Sequence, residues 1–156
     1  MSASAIPAVP GTYLLVLQAV APARLRAGSL GEMVVQPGHY LYVGSAFGPG
    51  GLRARVSRHI AGQGALRWHI DTLRRVTRPV EAWYAAGSQR CEHEWARSLA
   101  AAEECGVVLA HFGASDCRCP AHLFFMPQRP DPSWLLARLK QSSCSSGEIR
   151  VFSALD

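Results

Sequence analysis

Two strand-like segments, each carrying a tyrosine, lead directly into a glycine-rich loop and a helix. They are GTYLLVLQ (Gly11 to Gln18), YLYVGSA (Tyr40 to Ala46) and GGLRARVSRHI (Gly50 to Ile60). The Leu and Val content of the first predicts a strand buried along most of its length. At about 100° per residue on a helix, Leu52, Val56 and Ile60 share one face. Arg55 and His59, one turn apart, lie on its flank, while Arg53 and Arg58 point elsewhere. Two phenols, a guanidinium and an imidazole at neighbouring points of a fold suit phosphodiester chemistry better than a hydrophobic core. The plainer alternative is that Arg55 and His59 only edge the core and pair with carboxylates.

The remaining pattern predicts one α+β domain over residues 11–140, with a flexible N-terminal arm (1–10) and a linker and tail (141–156). Ala19 to Ala27 reads as a connection and Gly28 to Gly31 as a turn. Glu32 to Gln36 reads as a second strand, forming a hairpin with a third over His39 to Gly44 through Pro37-Gly38. Trp68 to Val76 fits a short amphipathic helix, its apolar residues at 68, 70, 73 and 76. Val80 to Ala85 reads as a strand. Arg90 to Cys105, rich in Ala and Glu, reads as a long helix closed by Gly106. Val107 to Ala110 and His122 to Met126 read as strands, and Ser133 to Lys140 as a terminal helix.

With 17% charged residues and a net charge of +5 the chain is globular and basic. Fifteen of the sixteen basic residues are arginine, whose planar fork suits phosphate. No apolar run reaches the length of a membrane span, about 18 residues, and the first ten residues lack the charge and apolar block of an export signal. The expected compartment is the cytoplasm. There, five cysteines favour reduced thiols or a metal site over a disulfide framework. Cys117, Cys119 and His122 offer soft ligands at short spacing, and Cys91 is a fourth candidate for a structural Zn²⁺. C-x-C-x₂-H is not a standard zinc spacing, and thiols packed as small apolar groups are the alternative. His69 and Asp71 lie close in sequence without a necessary common direction on a helix.

Gly11-Thr12-Tyr13, Tyr42-Val43-Gly44, Arg55, His59 and a later helical glutamate resemble the GIY-YIG nuclease superfamily. GTYLLVL, YLYVGSAFGPGGLRARVSRH, RWHIDTL, the segment from Cys91 to Ala96 and FGASDCRCPAHLFF resemble a small branch of it. That branch occurs alone or beside a DNA-repair glycosylase domain. The resemblance covers roughly residues 11 to 126. It implies a small, mainly antiparallel sheet flanked by helices. It also implies an endonuclease that hydrolyses DNA phosphodiester bonds with one Mg²⁺ or Mn²⁺, in repair or on structured DNA.

Tyr13, Tyr42, Arg55 and His59 then occupy catalytic positions, with His69 a further catalytic candidate. Glu92, or else Glu94, is the metal ligand. Gly44, Ser45, Gly50, Gly51, Arg53 and Arg58 are the candidate phosphate and DNA contacts. A glycine-rich loop can bring backbone N–H groups to a phosphate at a helix N-terminus. DNA is the expected partner, with a second protein supplying specificity. A non-catalytic nucleic-acid-binding module and a zinc-stabilised interaction domain are the alternative functions.

Overall fold

All of β1 (Gly11–Ala19) is buried except the half-buried Gln18. A strand buried on both faces needs neighbours on both edges and cover above and below. A computed structural model of the chain describes residues 5–62, 69–113, 119, 121–141 and 148–154. Within them β1 pairs with β4 (Gly38–Ala46) on one side and β5 (Arg78–Ala86) on the other. The sheet is extended by β7 (Leu123–Met126) and β6 (Gly106–Val107) beyond β4, and by β8 (Ile149–Ser153) beyond β5. Every pairing is antiparallel.

Alternation along the strands separates two apolar layers. Tyr13, Leu15, Leu17, Tyr40, Ala82 and Tyr84 pack with Leu52 and Val56 of α1 (Gly51–Ala61) and with Ile70 and Leu73 of α2 (His69–Leu73). Leu14, Val16, Leu41, Val43 and Trp83 face the opposite way. They pack with Trp95 and Leu99 of α3 (Glu92–Ala100) and with Leu135 and Leu139 of α4 (Pro132–Lys140). The fold is therefore α+β, a six-stranded antiparallel sheet between two pairs of helices.

Several elements depart from the sequence expectation. Ala23 to Arg26, expected as connection, is a strand, β2, whose Ala23 and Leu25 turn inward while Arg24 and Arg26 are exposed. It pairs with β3 (Glu32–Val35) as a separate two-stranded sheet, so β3 does not form a hairpin with β4. The double burial of β4 commits both its edges to β1 and β7. The Tyr40 hydroxyl instead links β4 to the end of β3, accepting from Gln36 N (2.8 Å) and donating to Gln36 O (3.1 Å).

The helix expected over Arg90 to Cys105 spans only Glu92–Ala100. Its apolar stripe is short, and beyond it Ala102 N and Cys105 N bond to carbonyls three residues back, tightening the chain into turns. The helix expected over Trp68 to Val76 is His69–Leu73; Trp68 lies outside the described residues. The tail contributes β8, whose Phe152 is buried.

The N-terminal arm is not loose over its described part. Ile6 is fully buried, and Pro7 O and Val9 O accept from Arg53 N and Leu52 N.

Arg74 closes the far end of α1. Its guanidinium donates to His59 O (2.7 Å) and Ile60 O (2.8 Å), supplying donors that the last helical turn lacks, and to Thr77 O in the chain leading to β5. Arg74→Ala removes donors from three partly buried carbonyls and should lower unfolding free energy by about 2 kcal/mol. Arg74→Lys, a point charge without the fork, should recover only part of that loss. Urea denaturation of the three proteins checks both.

Candidate active site

Tyr13 stands directly opposite Gly44 in the β1–β4 register. A Cβ at Gly44 would lie 2.5 Å from both Cζ and Oη of Tyr13, so the phenol crosses the space that a side chain would fill. Gly44, expected among the phosphate contacts, thus has a packing reason to be glycine.

Across the same face the Tyr13 hydroxyl meets Nε2 of buried His59 at 2.9 Å. Tyr42, half-buried, completes a triangle of rings, with centroids 6.5 Å from Tyr13 and 6.1 Å from His59. α1 carries Arg55 to the same corner. Its Nη1 donates to Ser45 O (3.3 Å), which sets its charge close enough to the Tyr13 phenol to act on it.

Burial governs the protonation states. Desolvation, reinforced by Tyr42, holds the Tyr13 pKa well above the ordinary phenol value, with Arg55 opposing by charge and hydrogen bond. His59 is pushed down to about 4, first by desolvation and then by Arg55, Arg58 and Arg74, with Asp71 opposing. At neutral pH the pair is a neutral phenol against a neutral imidazole, beside a fixed cation.

Glu92 approaches from the other layer. Thr12 and Ser45 alternate to the α3 side of the sheet, and Thr12 Oγ1 accepts from Cys91 N (3.1 Å), fixing where α3 begins. Ser45 Oγ then donates to Glu92 Oε1 at 3.2 Å. Glu94 is turned toward Arg97, 3.9 Å away on the same helix. Of the two glutamates, Glu92 is the one that reaches the end of β4 and raises the Tyr13 pKa through its charge.

The remaining expected residues divide. His69 packs on Phe112 (5.5 Å between centroids), which in turn packs on Tyr42 (6.3 Å), so it lies behind an aromatic spacer. The glycine loop does not present open amides at the start of α1. Gly51 N, Leu52 N and Arg53 N donate to Gly48 O, Val9 O and Pro7 O. Gly50 and Gly51 instead supply left-handed backbone, at φ 81° and 58°, that turns the chain into the helix. Arg53 is tied by Nε to Ile6 O (2.8 Å). Arg58 forks onto Asp71 at 2.9 and 3.0 Å, which makes Asp71 an anchor between α1 and α2. A cleft of about 230 Å³ remains, lined in part by Gly48, Pro49, Arg55 and Arg58.

The expected zinc set is also redrawn. Cys91 is disulfide-bonded, against the expectation of reduced thiols, and so is not a metal ligand. Cys117 lies outside the described residues. Cys119 and His122 come together with His93, which the sequence pattern did not single out. The adjacency of His93 to Glu92 was the available signal, but only the docking of α3 brings it to Cys119. Cys105 is half-buried, and burial pushes its thiol up to about 11, as expected of an inert cysteine. Among the described residues no helix is long and apolar enough to cross a membrane.

The depressed His59 pKa predicts a stability slope. An unfolded histidine titrates near 6.5, so between about pH 6.5 and pH 4 the unfolded chain binds more protons than the folded one. Stability is full above that window and should fall by on the order of 3 kcal/mol as pH drops through it. His59→Gln should flatten this part of the curve; urea midpoints measured from pH 8 to pH 4 check it.

No curated protein and no solved structure matches the chain. A family profile does, over residues 12–144, most of the sequence. The chain belongs to the family described as Domain of unknown function DUF123.

Proposed function

We propose that the protein is a divalent-metal-dependent endonuclease of GIY-YIG type acting on DNA. The observation that carries this is the Tyr13–His59 hydrogen bond of 2.9 Å at a corner that also holds Tyr42, Arg55 and Glu92. The sequence resemblance to that superfamily supplies the reaction class.

The chemistry divides among these residues. His59 fixes the Tyr13 phenol, which burial keeps protonated and therefore suited to donating a hydrogen bond rather than removing a proton. Half-buried Tyr42 is the phenol suited to orient the attacking water. Arg55 supplies fixed positive charge for the phosphoryl oxygens, a contribution typically worth several kcal/mol when water is excluded.

Glu92, with a side chain 18% exposed, fits a hydrated Mg²⁺, which commonly takes one or two carboxylates and completes its shell with water and phosphate. An ion held there supplies charge stabilisation to the leaving oxygen. A partner protein would choose the target.

Incubation of labelled single-stranded, duplex, flapped and branched DNA with Mg²⁺ or Mn²⁺ tests the proposal. Wild type should cut at least one substrate and lose activity in EDTA. Arg55→Ala should be slower by about 100- to 1,000-fold, and Glu92→Gln should lose its metal response. Salt-sensitive binding without cutting would overturn the enzyme assignment in favour of a binding module.

A further inference from the structure

We propose that His93, Cys119 and His122 form a binding site for one zinc-class divalent ion, distinct from the ion assigned to Glu92. One ligand atom from each residue lies within 4.8 Å of the others. His93 Nδ1 is 3.3 Å from Cys119 Sγ. Donors around a tetrahedral zinc, with Zn–S near 2.3 Å and Zn–N near 2.0 Å, stand roughly 3.3–3.7 Å apart. That pair is already at coordination spacing, and the third ligand atom, within 4.8 Å of both, must move closer on binding.

The donor set decides the metal. A thiolate and two imidazoles favour zinc and its neighbours, whereas Mg²⁺ takes hard oxygen ligands. Cys119 and His122 are 1% and 2% exposed, which shields the site from exchange. His93, with a side chain 35% exposed, leaves a path of entry.

Glu92 belongs to the surroundings of this ion and not to its ligands. Its Oε1 lies 3.8 Å from Nε2 of His93, on the opposite side of the ring from the nitrogen facing Cys119. Its Oε2 lies 3.9 Å from Nδ1 of His122. Both are ion-pair distances; shortened to hydrogen bonds on metal binding, they would let the carboxylate fix the imidazole tautomers and raise their basicity.

The bound ion would join the first turn of α3 to the chain entering β7. That chain is already held where His122 N donates to Phe112 O and Val43 N donates to His122 O. Three protein ligands leave a fourth position for solvent. The metal site stands without the nuclease proposal; only its consequence, a Glu92 held still for catalysis, rests on it.

The full chain, purified without chelator from zinc-supplemented medium, should carry about one zinc per molecule. Apoprotein titrated with Co²⁺ should develop a tetrahedral spectrum with a thiolate-to-cobalt charge-transfer band. Cys119→Ser should lose that band. His93→Asn, at the most exposed ligand and so least disruptive to folding, should lose stoichiometric zinc. Glu92→Gln should keep the ion with affinity lower by about 10- to 100-fold. Absence of both zinc and the cobalt band, or their persistence in Cys119→Ser and His93→Asn, would overturn the site and leave a hydrogen-bonded cluster. Zinc loading without DNA cleavage would count against the nuclease alone, and cleavage without zinc loading against this site alone.

Discussion

The pairing of Tyr13 with Gly44 is the constraint on which the rest of the site depends. A buried phenol in a central strand has nowhere to lie unless the facing residue has no side chain, and Gly44 provides that space. Laid across the glycine, the ring points its hydroxyl at α1, where His59 waits at 2.9 Å. The helix must then sit at one height and one rotation. Leu52 and Val56 set its rotation against the sheet, the Arg58–Asp71 fork ties it to α2, and Arg74 holds its last carbonyls.

Two faces of one sheet contribute to the same corner. Tyr13 and Tyr42 point toward α1, whereas Thr12 and Ser45, one residue out of phase, point toward α3. Where β1 begins and β4 ends, the sheet is no barrier between the layers, and Glu92 meets Ser45 there. The same geometry puts a carboxylate, two imidazoles and a thiol within a few ångströms behind it. Desolvation keeps Tyr13 and His59 neutral, so the fixed charges near the phenol are Arg55 on one side and Glu92 on the other.

Much of this was legible in one dimension. Continuous apolar composition identified β1, the spacing of Leu52 and Val56 identified α1, and the four-residue interval joined Arg55 to His59. β2 was missed although Arg24 and Arg26 alternate with Ala23 and Leu25, because four residues after a proline carry too little signal. The length of α3 was overestimated because Ala and Glu favour helix whether or not a core continues beneath them. The glycine loop resembled a phosphate cradle, yet its helix amides are taken by its own Gly48 carbonyl and by those of Pro7 and Val9 in the arm expected to be flexible.

Local composition and periodicity by themselves determined the mixture of strands and helices, the burial of the first strand, and the residue types available for chemistry, since these follow from which side chains must leave water. The tertiary structure alone set Glu92 rather than Glu94 beside Ser45, tied up Cys91 in a disulfide, and brought His93 to Cys119. Those choices turn on rotations of about 100° per residue on α3 and on contacts between residues far apart in sequence, such as His93 with Cys119 and Thr12 with Cys91. Only packing of the two layers against a common sheet fixes such distances.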